Sequence, residues 1–189
     1  MPFIKNHPNI DIIVMKKFLL TLTLSVFAFA VFAQSSNKDS QIIQDSQDAK
    51  EAFLKDDPDM ATFFDESYAY IILPNVGKGG LGIGGAAGNG VAFEQGTMIG
   101  FAKMTQVTIG FQAGGQAYSE VVFFESEDEF DRFKESKIEM AAQVSAVAAA
   151  SGASLNAEYV DGVAVFTRTK GGLMYEASVG GQQFKYRAK

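Results

Sequence analysis

Apolar and polar positions follow a helical spacing near the N-terminal end of this sequence and a strand spacing over most of the remainder. In residues 36–54 the apolar side chains recur every three to four positions among Gln, Asp and Lys, which predicts an amphipathic helix. The acidic run at 56–59 ends this pattern, because the residue before Pro58 avoids helical geometry. Residues 60–64 then predict a second short helix.

A third helix is predicted from a start signal. Ser126 is followed three residues later by Glu129, the spacing of a capping box, in which each side chain satisfies a free backbone amide of the first helical turn. The helix is expected to run to about Lys137 and to bury Phe130 and Phe133.

The rest of the sequence has the pattern of β-strands. Segments that alternate or run apolar between turn residues are YAYIILP, VAFEQGTMIGFAKM, QVTIGFQAGGQAYSEVVFF, DGVAVFTRT and LMYEASVGGQQFKYR. Gly96 and Asp161-Gly162 lie where tight turns are needed. Residues 139–153 fit a helix by alanine content and a strand by alternation, and we favour the strand. The predicted fold is a single α+β domain, with a strongly curved antiparallel sheet or partial barrel and a few packed helices.

Three glycine-bearing segments resemble one another: KGGLGIGGA from Lys78, IGFQAGGQ from Ile109 and KGGLMYEASVGGQ from Lys170. They recur without a fixed period, which argues against a solenoid or propeller. Glycine within strands usually marks a bulge, a bend or a close approach of backbones. We therefore interpret KGGL and GGQ as turns within a strongly coiled sheet.

The N-terminal region has the layout of a secretory signal peptide. Met15-Lys16-Lys17 precedes an apolar run that ends at Ala33, and small residues precede the expected cut after Ala33. The run is shorter than the roughly 20 apolar residues that a membrane span needs. We predict a signal peptide at 15–33, an over-called extension at 1–14 and a domain at 34–189. The expected location is outside the cytoplasm, periplasmic or secreted.

Charge and composition argue against several classes of function. The whole chain has a net charge of −6, and without residues 1–33 it keeps 13 basic and 21 acidic side chains, a net charge of −8. This charge disfavours nucleic acid, whose phosphates need Lys and Arg. His7 is the single His, and Cys is absent from the sequence, which removes Ser-His-Asp and Cys-His catalysis and His/Cys zinc sites. We expect no catalytic residues, no metal, no cofactor and no enzymatic activity.

The glycines also match a nucleotide-binding spacing, though weakly. Gly77, Gly79 and Gly82 satisfy G-x-G-x-x-G, but the chain continues as AAGNGVAFEQG, in which no useful helix fits. A dinucleotide site needs a helix to begin directly after the glycines, so that its amides meet the pyrophosphate. Nucleotide binding is therefore disfavoured.

Three strings together resemble the SYLF family: YAYIILPNVGKGGLGIGGAAGNG, TQVTIGFQAGGQAYSEVVFF and DGVAVFTRTKGGLMYEASVGGQQFKY. The resemblance implies a lipid-binding module, and eukaryotic relatives carry it beside SH3 or FYVE modules, bind phosphoinositides and in some cases bind actin. No SH3 or FYVE segment accompanies it in this sequence, and an exported chain would not meet cytoplasmic actin, so actin is not an expected partner.

The expected ligand is therefore a lipid or a membrane surface. Basic side chains beside Gly-Gly pairs are the predicted head-group contacts, because their charge and free amides both suit an anion. The predicted binding residues are Lys78, Gly79, Gly80, Lys103, Arg168, Lys170, Gly171 and Gly172. The leading hypothesis is an exported, non-catalytic lipid-binding protein. The alternative is an envelope structural or protein-interaction module without a lipid ligand.

Overall fold

The structure is a computed structural model that describes residues 37–135, 139–140, 147–148, 152–179 and 181–189. The chain divides into two compact units, residues 1–41 and residues 42–189, and of the first unit only residues 37–41 are described. The predicted extension and signal peptide lie outside the described residues. The fold below is that of residues 42–189.

The predicted N-terminal helices are confirmed. Helix α1 covers residues 37–56, a 3-10 turn follows at Pro58–Met60, and helix α2 covers Ala61–Glu66. Within the described residues, no helix is both long enough and apolar enough to cross a bilayer.

Helix α3 covers Glu127–Lys134 and buries Phe130 and Phe133, as predicted, but it ends three residues before Lys137. The capping box is only partly formed. The Ser126 hydroxyl contacts the Glu129 carboxylate instead of accepting a bond from a backbone amide of the first turn.

Six strands form one sheet that is not closed over the described residues, which confirms an α+β fold with a largely antiparallel sheet. Strand β2 is its centre, and β1 pairs along one edge of β2. On the other edge of β2, β6 pairs with residues 100–106 and β5 pairs with residues 109–124. Short strands β3 and β4 pair with β6 and β5, and the β4–β5 pair is parallel. The strands are β1 Ala69–Glu94, β2 Thr97–Phe124, β3 Glu139–Met140, β4 Val147–Ala148, β5 Val163–Val179 and β6 Gln182–Ala188.

The long hairpin of β1 and β2 folds back on itself. A straight strand of 26 residues would span about 85 Å, yet the Gln95 amide donates to the carbonyl oxygen of Tyr68, 3.0 Å away, so residues flanking the two ends of β1 are in contact. The two halves of β1 approach so closely that a Cβ at Gly90 would overlap the carbonyl oxygen of Ile72. The predicted strong curvature therefore arises from a fold in the hairpin.

The described residues form two apolar cores, and the folded hairpin encloses one of them, which we call the enclosed core. This core joins residues from both halves of β1 and β2 with residues of β5, β6 and α3. Its members include Leu73, Met104, Val122, Phe130 and Phe184. The second, helix-covered core lies on the other face of the sheet, under α1 and α2, and includes Phe53, Phe64, Ile72, Phe123 and Phe166. Successive strand residues point to opposite faces, so residues 69–73, 121–124 and 163–166 supply both cores.

The tight turns are confirmed: Gly96 and Asp161-Gly162 have positive φ at hairpin turns, as predicted. The turns predicted at KGGL and at the GGQ of residues 114–116 are wrong. KGGL at 78–81 and GGQ at 114–116 lie inside β1 and β2, in register with each other, and KGGL at 170–173 lies inside β5. Glycine marks a bend within the strand instead, because the register shifts between Leu81 and Ile83 and a Cβ at Gly80 would overlap the backbone of Gly84.

At the C-terminal end, β5 ends at Val179 and β6 begins at Gln182, so the break between these strands falls at the GGQ of residues 180–182, where the sequence predicts a turn. For residues 139–153, strand is observed at 139–140 and 147–148, and the residues between these pairs lie outside the described part of the chain.

Candidate functional site

The predicted binding residues do not converge on one point. Arg168 and Lys170, near the middle of β5, lie together in a cleft between α1 and the sheet. The cleft has a volume of about 440 Å³, within the range of ligand pockets. Its lining residues are Asp45, Asp48, Ala49, Ala52, Asn75, Ser119, Arg168 and Lys170.

Both cations in the cleft already have partners. The Arg168 Nε lies 2.5 Å from Asp56 Oδ2, and the Lys170 Nζ donates to Asn75 Oδ1 at 2.8 Å. Asn75 in turn donates to Asp45 Oδ2 at 3.2 Å. The cleft thus has an acidic helical wall and a basic strand wall linked through Asn75. The sequence predicts Arg168 and Lys170 as binding residues but gives no sign of the acidic wall, because Asp45 and Asp48 lie in a helix that is distant along the chain.

Lys78 lies on the opposite face of the sheet. Val76, two residues earlier on β1, belongs to the enclosed core, so Lys78 shares that face. Its positive charge acts on Glu120, a fully buried acid of β2. Burial raises the pKa of Glu120 to about 7, against the opposing effects of a hydrogen bond from Gln182 and the charge of Lys78.

The four predicted glycines are strand residues. Gly79 and Gly80 pair with Gly115 and Gly114, and Gly171 and Gly172 pair with Ala117 and Gln116. Any anion contact from these glycines would therefore use strand-edge amides and not a turn.

Lys103 lies on a third surface, in the other half of the folded hairpin. Its neighbours Ala102 and Met104 are buried in the enclosed core, so Lys103 points away from that core and is exposed. It pairs with Lys185 on β6, and the next pair on the same face joins Phe101 to Arg187. The Arg187 guanidinium lies 4.3 Å from the centre of the Phe101 ring.

We call this surface the basic face. It is formed by alternate residues that point away from the enclosed core: Phe101, Lys103, Thr105, Val107, Gln183, Lys185 and Arg187. These positions carry three cations and no acid, on a chain whose net charge is −6. Sequence reasoning missed Lys185 and Arg187, although their alternation with Phe184 and Tyr186 was the signal.

Exposed apolar side chains mark the middle of the hairpin, where it bends back so sharply that a Cβ at Gly80 would overlap the backbone of Gly84. We call this part of the folded hairpin its glycine-rich end and define it as residues 77–87 and 105–117. Leu81 is 81% exposed, Ile83 is 69% exposed and Val107 is 67% exposed. Ile83 pairs with Ile109, and Val107 pairs with Gly85, so these side chains lie on neighbouring positions of one ladder. The basic face runs directly into this apolar end through Val107.

In the described part of the chain, no group of three or more His, Cys, Asp or Glu side chains could hold a metal ion. The segment after the G-x-G-x-x-G glycines is strand and not helix, as predicted. The geometry is that of an α+β domain with an apolar end and a basic face.

Comparison with known proteins agrees with this class. Residues 105–189 match the model of the Ysc84 family, described as Las17-binding protein actin regulator, which is the SYLF domain that the sequence resembles. The chain is also similar to Beta cell expansion factor A of Aeromonas veronii, at 28% identity over 132 residues. The similarity covers 69% of this chain and 50% of that protein, so the chain spans about half the length of its curated relative. The predicted family resemblance is confirmed.

Proposed function

We propose that this chain is an exported, non-catalytic protein that binds lipid bilayers, with its glycine-rich end inserted at the surface and its basic face on anionic head groups. The observation that carries the proposal is the exposure of Leu81, Ile83 and Val107. Large apolar side chains grouped at the end of a sheet are unfavourable in water and are stabilised when buried in a partner or a membrane.

The charge next to the apolar end favours a membrane as the partner. Lys103 and Lys185 are directly paired, and Arg187 follows on the same face. A basic residue near an anionic membrane surface contributes about 1 kcal/mol. This local arrangement matters more than the net negative charge, because charges beyond a Debye length of about 8 Å are screened at physiological salt.

The match to a known family also supports the proposal of lipid binding. The matched model describes actin regulators, and the family is associated with lipid and protein binding in general. We transfer the lipid part and not actin binding, because the proposed location keeps the chain from cytoplasmic actin. The cleft at Arg168 and Lys170 is a secondary candidate for head-group contact.

A vesicle flotation assay with a matched control tests the proposal. The double variant Leu81→Ser/Ile83→Ser removes apolar area from the glycine-rich end. We expect its affinity for vesicles of phosphatidylcholine and phosphatidylglycerol to fall about tenfold per residue, since about 1.4 kcal/mol of transfer free energy is lost at each. The control is Leu155→Ser/Val160→Ser, which changes two exposed apolar residues outside that end and should float like the unmodified chain.

Two outcomes would contradict the proposal. The first is no flotation of the unmodified chain on neutral or anionic vesicles at low salt. The second is an equal loss in both double variants, which would show a general effect of surface apolarity. A stoichiometric protein captured from an envelope fraction through Leu81 and Ile83, without lipid retention, would favour the alternative interaction module.

A further inference from the structure

An acidic residue lies inside the enclosed core. Glu120 is 1% exposed, and its neighbours on the same face of β2, Tyr118 and Val122, belong to that core. Across the ladders it pairs with Leu73 and Thr167. An ionised carboxylate that is buried without sufficient hydrogen bonds is strongly unfavourable. The contacts of Glu120 must therefore show which form of the carboxyl group, ionised or protonated, the fold accommodates.

The contact between Glu120 and Gln182 supplies that account. Gln182 Nε2 donates to Glu120 Oε2 at 2.9 Å. The second terminal atom of each group, Glu120 Oε1 and Gln182 Oε1, is buried and has no hydrogen-bond partner within the described part of the chain. If Glu120 is ionised, both atoms are acceptors and both stay unsatisfied. A single proton on Glu120 Oε1 lets it donate to Gln182 Oε1 and satisfies both atoms in one cyclic pair.

We propose that Glu120 is protonated in the folded chain, and that its carboxyl–carboxamide pair with Gln182 is a pH-sensitive link between the two halves of the folded hairpin. Strand β6, which carries Gln182, pairs with residues 100–106 of β2, whereas Glu120 belongs to the half of β2 that pairs with β5. The link therefore joins β6 to the opposite half of the sheet. Loss of the proton leaves a buried carboxylate beside an acceptor oxygen and weakens this connection.

The groups around Glu120 set the pH at which the link weakens. Lys78 of β1 is the charged residue that acts on it, and it favours the ionised form. Strand β6 contributes the Gln182 amide, β5 contributes Thr167, and α3 contributes Phe130 and Phe133 to the same core. Desolvation by this largely apolar shell outweighs the charge of Lys78 and raises the pKa to about 7.

The direction of the pH effect follows from linkage. The ordinary pKa of the carboxyl is 4.5, and its pKa in the fold is about 7, so the folded chain binds more protons than the unfolded chain between these values. The contribution of Glu120 to the free energy of unfolding is fully present below about pH 4.5. It is lost as the pH rises through about 7 and does not return above that pH.

The test compares urea denaturation midpoints of the intact chain and its Glu120→Gln variant at about pH 5 and about pH 8. The introduced amide can donate to Gln182 Oε1 without titrating, so we expect the variant to lose less stability than the unmodified chain over this range. Glu125→Gln, which changes an exposed acid nearby, should keep the unmodified pH dependence. Identical pH dependence in the unmodified chain and Glu120→Gln would overturn the proposal.

A second measurement needs no variant and no lipid, so its result is independent of the proposed function. Carbon-13 NMR of glutamate-labelled chain should show one side-chain carboxyl that titrates near 7. Titration of every glutamate below about pH 5 would refute the link. Hydrogen exchange, corrected for its intrinsic pH dependence, should show faster exchange of the β6 amides at the higher pH, and unchanged protection would also refute it.

Discussion

The two ends of the folded hairpin are built from the same strands but have opposite surfaces. At the base, residues 69–73, 121–124 and 163–166 are buried on both faces, between the enclosed core and the helix-covered core. At the glycine-rich end, no helix of the described residues packs on the ladder around Leu81 and Ile83, and these side chains are exposed. Stability is therefore concentrated at the base, while the glycine-rich end is free to bind.

The difference follows from side-chain volume. The base carries Phe and branched residues that touch layers on both sides, and burial of such side chains contributes about 1.5–3 kcal/mol each. The glycine-rich end carries Gly and Ala at most positions and has little area to bury. The first two predictions below compare a residue of the base or sheet interior with one of the glycine-rich end, and the last two compare the basic face and the cleft as binding surfaces.

The largest effect is expected at Phe123. Its ring contacts the rings of Phe63, Phe64, Tyr70 and Phe166, with centroid distances of 4.9–6.0 Å. We expect Phe123→Ala to lower the free energy of unfolding by about 3–5 kcal/mol. Leu81→Ala should change it by less than about 0.5 kcal/mol. Urea denaturation measures the free energy of unfolding of both variants. Comparable losses in the two variants would contradict the conclusion that stability is concentrated at the base.

The second prediction compares two glycines of β1. A Cβ at Gly90 would overlap the backbone of Ile72, whereas a Cβ at Gly77 would meet nothing within 4 Å. We expect Gly90→Ala to cost about 1–3 kcal/mol, because the folded hairpin must open to admit the methyl group. Gly77→Ala should be neutral or slightly stabilising, since alanine restricts the unfolded chain. Thermal unfolding would decide, and a neutral Gly90→Ala would mean that the two halves of β1 do not meet closely.

The third prediction concerns the basic face. Lys103→Glu/Lys185→Glu should weaken binding to anionic vesicles by about 2 kcal/mol or more at low salt, and the difference should shrink as salt rises. The free energy of unfolding should change little, because both side chains are exposed. Lys38→Glu/Lys55→Glu, at two exposed positions of helix α1, is the control that changes the net charge by the same amount. Equal weakening by this control in a flotation assay would indicate a net-charge effect and not a binding face.

The smallest effect is expected in the cleft. Arg168 is partly exposed and paired with Asp56, and such exposed pairs contribute about 0.2–1 kcal/mol. Arg168→Met should lower stability by no more than this. Lys170→Glu should weaken anionic-lipid binding only slightly, since Lys170 is held by Asn75. Unchanged affinity in a flotation assay would leave the basic face as the binding surface, whereas a loss as large as that of Lys103→Glu/Lys185→Glu would move the binding surface to the cleft.

Local sequence signals were enough to locate the helices and strands and to indicate the family. Periodicity located α1 and the strands, because each buries a regular stripe or face, and the capping-box spacing of Ser126 and Glu129 located α3. Positive-φ turns at Gly96 and Gly162 were readable because few residues tolerate that geometry. The SYLF resemblance came from strings whose order and spacing are local properties of the chain, and the family comparison confirmed it over residues 105–189.

Which side chains meet depends on the three-dimensional fold and could not be predicted from the sequence. The spacing of Lys78, Lys103 and Lys170 along the chain could not show that they lie on three different surfaces, because this depends on strand register and on the fold in the hairpin. The same fold places Glu120 beside Gln182, across 62 positions of sequence. It also leaves Leu81 and Ile83 exposed within an apolar pattern typical of a core. Local patterns determine which face of a strand a residue occupies, whereas packing decides what covers that face.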